Sequence, residues 1–134
     1  MNAALQRLVW RRAHSQCEYC QLSSHQFILA FEIDHIIAEQ HGGATVAENL
    51  AVACFSCNHH KGPNLSGVDP RTRKPCWLFN PRKNRWNDHF RWDGPVLIGL
   101  TSIGRTSIRV LAINLPVRIS QRSALMKEGL FHIP

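Results

Sequence analysis

Two thiol pairs, Cys17-x-x-Cys20 and Cys54-x-x-Cys57, stand 33 residues apart. Together they can offer four thiolates to one zinc ion. Tetrahedra of four thiolates are a common structural zinc arrangement, and paired CxxC knuckles are their sequence mark. Between the pairs lies Phe31-Glu32-Ile33-Asp34-His35-Ile36, a carboxylate next to an imidazole in an apolar, β-branched run. Asn49-Leu50 follows, and Asn58 comes directly after the last cysteine of the second pair, ahead of His59, His60 and Lys61. Carboxylate and amide oxygens suit hard divalent cations, and an imidazole with its ordinary pKa near 6.5 can take a proton at neutral pH.

These residues need short elements to hold them. Leu5, Leu8 and Val9 lie on one side of a helix expected over 3–13, with Asn2 as its N-cap. A strand is expected near 30–36, a loop over 39–45 with Gly42-Gly43 supplying unusual backbone angles, and a second strand near 49–53. A helix should start near Ser56 and stop at Gly62-Pro63. Residues 63–75 are rich in turn formers and read as a linker. Beyond it, 76–79 and 89–92 look like strands, Asp93-Gly94 marks a turn, and 96–100 is an apolar strand. Thr101 can cap a helix over 102–112, and Asn114 with Pro116 opens a last helix that Gly129 ends. Neighbours on a strand point to opposite faces, so Asp34 and His35 can serve one site only if their strand bends or ends at that pair.

A chain of 134 residues with 44% hydrophobic content suits one globular domain. No run approaches the roughly 20 apolar residues of a membrane helix. The start, Met1 to Arg7, lacks the pattern of a secretory leader, so a reducing cytoplasm is expected, where paired cysteines bind metal rather than form disulfides. Cys76, the fifth cysteine, is expected to be a buried thiol. Sixteen Lys and Arg stand against nine Asp and Glu, a net charge of +7, yet no Lys or Arg occurs from Ala13 to His60. Five acidic residues fall in that span: Glu18, Glu32, Asp34, Glu39 and Glu48. An acidic, cation-holding centre with basic flanks suits a polyanionic substrate.

The ordered set of CxxC, Asp34-His35-Ile36, Asn49-Leu50 and CxxC-Asn58-x-x-Lys61 resembles the HNH endonuclease family over roughly residues 14–63. That resemblance implies an α+β fold: a small ββα-metal (His-Me finger) core with a structural zinc on Cys17, Cys20, Cys54 and Cys57. A C-terminal extension over 75–134, of short antiparallel strands and two helices, would pack on it in one domain. It implies His35 as general base, Asn49 as the residue that orients the base and braces the loop, and Asp34 and Asn58 as ligands of a catalytic Mg2+ or Mn2+. The third family position is often His and is here Asn58. His59, His60, Lys61 and His41 therefore stay open as supporting or substrate-contacting groups. The implied partner is nucleic acid, most simply double-stranded DNA. Arg82, Lys83, Arg85 and Arg91 are its candidate contacts, with Trp86, Phe90 and Trp92 inside and the arginines out. The competing reading is a non-catalytic, zinc-ribbon-like nucleic-acid-binding module.

Overall fold

The computed structural model describes residues 1–27 and 29–131. The chain divides into two compact units, Met1–Leu65 with Asn80–Lys83, and Ser66–Phe79 with Asn84–Pro134. The first unit runs to Leu65, and Asn80–Lys83 returns to it. Short antiparallel strand pairs and helices mix in an α+β arrangement.

In the first unit, α1 (Ala3–Arg12) begins where Asn2 Oδ1 accepts the Leu5 N–H at 2.8 Å, and it ends with Arg11 and Arg12 where the helix dipole favours cations. Val9 is its fully buried anchor, while Leu8 stays exposed. β1 (Glu32–His35) and β2 (Leu50–Ala53) pair antiparallel, with Glu32 opposite Ala53 and His35 opposite Leu50. All four residues of β2 are buried, because its second edge is also covered. Glu18 supplies that cover: its N–H donates to Val52 O at 2.9 Å, and its carboxylate accepts the Val52 N–H at 2.9 Å. One acidic residue thus replaces a third strand and ties the first cysteine pair to β2. α2 (Phe55–Lys61) follows directly, and the chain leaves it at Gly62 and Pro63.

In the second unit, part of the expected linker is instead a hairpin of β3 (Ser66–Val68) and β4 (Pro75–Trp77). Strands of three residues carrying Gly67 and Pro75 give no local β signal. The hairpin is specified by what lies beneath it, since a Cβ at Gly67 would sit 2.5 Å from Val110 Cγ2. Cys76, on that strand pair, is half-buried rather than buried. Trp86–His89 forms a short helix, α3, so β5 (Phe90–Asp93) starts one residue later than expected and pairs with β6 (Val96–Gly99). Phe79, Phe90, Trp86 and Trp92 form a chain of rings in that order, with successive centroids 5.3, 5.1 and 6.0 Å apart. α4 (Ser102–Val110) is capped by Thr101, whose Oγ1 accepts from Gly104 at 3.1 Å. α5 (Pro116–Lys127) carries Pro116 in its first turn. Asn114 does not open that helix. Its amide pairs with both backbone groups of Leu97, at 3.0 and 2.8 Å, and so covers β6.

Asp69 is fully buried beneath the β3–β4 turn. Its carboxylate accepts from Arg105 Nε at 3.1 Å and Nη2 at 2.8 Å, from Ser102 Oγ at 2.7 Å, and from the Arg71 N–H at 2.9 Å. These bonds, Arg105's foremost, hold its pKa well below the usual carboxylate range. A group whose folded pKa is depressed contributes stability that is complete above its unfolded value, near 3.9. That contribution is lost as pH falls through the folded value. Thermal unfolding of the native chain and of Asp69→Asn should therefore differ most above about pH 4 and converge in stronger acid. A gap that does not change with pH would refute the assignment.

Candidate metal and active site

The four thiols converge because each pair is a local turn and β2 brings the turns together. The Cys20 N–H points at Cys17 Sγ (3.4 Å), and the Cys57 N–H points at Cys54 Sγ (3.3 Å). Cys54 is at the same time the N-cap of α2. All four Sγ atoms lie within 4.8 Å of one another and all four residues are buried. Cys20 Sγ and Cys54 Sγ are 3.7 Å apart. A tetrahedron with Zn–S bonds near 2.3 Å has edges of about 3.8 Å, so the Cys20–Cys54 separation matches an edge and the four thiols are gathered closely enough to hold zinc. Burial pushes the Cys17 thiol well up, and its three sulfur neighbours push it the same way. Four bare thiolates are therefore disfavoured, and a bound dication supplies the compensating charge.

At the end of β1, Asp34 and His35 point in different directions. Asp34 turns inward, where its Oδ2 accepts from Tyr19 OH at 2.7 Å and pairs with Lys61 Nζ at 3.1 Å. Burial raises its pKa, and Lys61 and then Tyr19 oppose that rise. Lys61 is itself buried and also donates to the carbonyls of His35 (3.2 Å) and Ile36 (3.1 Å), fixing the point where the strand stops. One turn back along α2, Asn58 Nδ2 donates to Glu32 Oε2 at 2.8 Å. Glu32 and Asp34 share a strand face and Asn58 and Lys61 share a helix face, so two cross-links set the helix against the strand.

Removing the cation of this arrangement strands its partners. Lys61→Met should destabilise the zinc-loaded protein by about 3–5 kcal/mol, because it leaves a buried carboxylate and two carbonyls short of a donor. Denaturant unfolding measures the loss. Adding Asp34→Asn should recover part of it, whereas independent additive losses would show that the pair is not coupled.

His35 faces the loop instead. Its Nε2 lies 2.9 Å from Thr45 Oγ1 and 3.7 Å from Glu39 Oε1, and its side chain is 22% exposed. The loop is held by Asn49, whose Oδ1 accepts from Ile37 N and whose Nδ2 donates to Ile37 O and Ala44 O, all at 2.9 Å. Asn49 thus bonds to loop backbone and not to the His35 ring. Gly42 has the left-handed backbone expected of the glycine pair (φ +86°). Gly43 is needed for a different reason: a Cβ there would lie 1.7 Å from Ile37 O.

Asp34, His35 and Asn58 nevertheless line one open depression of about 360 Å³, with Ile33, Ala38, Glu39, Gln40, Gly62 and Pro63 around them. It is polar, and its donors are hard oxygens beside one imidazole. Among the described residues, only Lys61 at 3.4 Å bonds to Asp34 Oδ1, which leaves it a lone pair, and Asn58 Oδ1 is left over once its Nδ2 is bonded. Carboxylate and amide oxygens are of the hard type that divalent cations such as Mg2+ or Mn2+ take.

Other candidates are placed differently. His41 is exposed and His59 stacks on Phe55 (5.9 Å), with His60 edge-on to His59 (5.2 Å). None of the three lines the depression. Of the roles left open for Lys61, its burial excludes contact with substrate. Arg82, a candidate nucleic-acid contact, is instead paired with Glu18 and mostly covered, and only Lys83, Arg85 and Arg91 of that group are exposed. Sequence reasoning missed Glu32, Tyr19 and Thr45. Glu32 had a signal, being two residues from Asp34 on one strand face, whereas the partners of Tyr19 and Thr45 depend on chain crossings that no local pattern shows.

A four-cysteine cluster next to an oxygen-and-imidazole depression defines a small metal-associated domain with acid–base potential. Residues 17–64 match the family model described as HNH endonuclease, and the chain carries an HNH domain in that segment, which is under half of its length. No curated protein and no solved structure matches the chain. No helix among the described residues is long and apolar enough to cross a membrane.

Proposed function

We propose that the chain is a metal-dependent HNH endonuclease hydrolysing DNA phosphodiester bonds, with residues 32–61 as its ββα-metal core and zinc on the four cysteines as a structural staple. The observation that carries this reading is the shared depression of Asp34, His35 and Asn58 inside the HNH segment. In the tautomer that donates Nε2–H to Thr45 Oγ1, the lone pair of His35 lies on Nδ1, the atom we assign to take the proton of the attacking water. The Glu39 carboxylate then stabilises the imidazolium. Asn49 acts as a positioning residue through the loop it holds, and Asp34 and Asn58 would hold the divalent cation. When bound there, such a cation would offset the negative charge that develops on the phosphate and on the leaving oxygen.

Double-stranded DNA is the substrate proposed, tested by nicking of supercoiled plasmid with Mg2+ or Mn2+ added and omitted. Full activity in His35→Ala would sink the catalytic reading. One observation favours the second reading, a zinc-ribbon-like binding module: Lys61 already neutralises Asp34. That version expects DNA binding without cleavage in any divalent metal and no effect of Asp34→Asn on binding.

A further inference from the structure

The β3–β4 hairpin has two unlike faces. Ser66 pairs with Trp77 and Val68 with Pro75, all exposed, while Gly67 and Cys76 face the other way, Gly67 against α4. Trp77 is 68% exposed, the highest value among the exposed large hydrophobic residues. The turn joining the strands, Pro70 to Lys74, is exposed throughout and carries Arg71, Arg73 and Lys74. The acid nearest in sequence, Asp69, is buried and bonded to Arg105 and Ser102, so it does not neutralise them. Among the described residues, these three cations enter no ion pair.

The turn is also held in shape from below. Asp69 N–H donates to Lys74 O at 2.9 Å, Asp69 O accepts from the Arg73 N–H at 2.8 Å, and the Asp69 carboxylate fixes the Arg71 N–H. Buried Asp69, paired with a partly exposed Arg105, therefore holds a turn with three unpaired cations at one end of a ribbon whose outer face carries a bare indole at the other. Solubility alone explains the cations but not the exposed indole at the other end of the same three-residue ladder. Phosphates attract the cations, and an unstacked base covers an indole face, so the two features together fit single-stranded nucleic acid.

We propose that this hairpin is a nucleic-acid contact of the second unit, with Arg71, Arg73 and Lys74 on phosphates and Trp77 stacked on an unpaired base. This does not depend on the cleavage reading, because binding is measured without Mg2+ or Mn2+. The full zinc-loaded chain is titrated into a fluorescein-labelled 20-nucleotide single strand, and separately into its duplex, over a range of salt. Replacing all three cations with Gln should lower the slope of log K against log salt by about two on the single strand, at roughly 0.7 per lost contact. Trp77→Ala should weaken single-strand binding about tenfold and leave duplex binding unchanged. Both changes are at exposed positions, and an unaltered unfolding midpoint confirms that the fold is kept.

An unchanged slope overturns the proposal. So does an equal loss when Arg7 and Arg11 on α1 are changed to Gln, since that shows diffuse charge alone. Displacement of the strand by poly-glutamate as readily as by unlabelled oligonucleotide would make the partner an acidic protein. Equal losses on single strand and duplex in Trp77→Ala would remove the stacked base.

Discussion

Withdrawing zinc from Cys17, Cys20, Cys54 and Cys57 is expected to unfold the first unit. Its paired strands are four residues each, and the core around them is a small set of side chains from α1, the first knuckle and β2. A structural zinc contributes roughly 10–16 kcal/mol at neutral pH, comparable with the usual 5–15 kcal/mol net stability of a whole domain. The cluster also joins pieces that have few other reasons to meet: the turn after α1, the end of β2 and the start of α2. Without the ion, burial protonates Cys17 and leaves sulfurs in contact without a charge to organise them. Cys57→Ser should have nearly the same effect, as three thiolates hold zinc less tightly and the position lies inside α2. Trp10, the one tryptophan of that unit, reports the change, and zinc release measured with a metal-binding dye gives the stoichiometry. A chelated protein with the same unfolding midpoint as the loaded one would show that the staple is dispensable.

His35→Ala should lower DNA cleavage by about 10²- to 10⁴-fold, the usual contribution of a positioned general base. The fold should not change, because the ring is partly exposed and its bonds run to the loop surface at Thr45 and Glu39. Zinc content is likewise expected to be unaffected, since no thiol depends on it. Asn58→Ala should behave differently, raising the Mg2+ concentration needed for half-maximal rate rather than abolishing turnover. It also frees Glu32, so a small loss of stability is expected. Plasmid nicking at several Mg2+ concentrations separates the two. Equal effects of both changes on the maximal rate, with no shift in metal requirement, would remove Asn58 from the cation site.

The order of elements around the site was legible in the sequence because it rests on local signals. CxxC spacing builds each knuckle within four residues, Asn2 and Thr101 cap their helices, Gly62-Pro63 ends α2, and Gly42-Gly43 sets the loop. That Asp34 and His35 project differently from their strand could be anticipated from alternation. The stop itself depends on Lys61 reaching the carbonyls of His35 and Ile36. The β3–β4 hairpin could not be anticipated. Its strands are too short to show a pattern, and its register is set by Val110 and Thr106 on α4, some forty residues away.

Charge shows the same limit. Sixteen cations in the sequence suggest basic flanks around an acidic centre, but Lys61 clamps Asp34, Arg82 pairs with Glu18, Arg105 holds Asp69, and Arg118 and Arg122 are buried on α5. By itself, then, the sequence determined which residues can bind zinc, hold a hard cation or move a proton, and the order in which they arrive. Only the tertiary structure decided that Asp34 turns inward to Lys61 while His35 turns to Thr45, and which basic side chains stay free. The reason is physical: ligand type and turn chemistry are properties of a few neighbouring residues, whereas burial and pairing depend on the register between segments far apart in the chain.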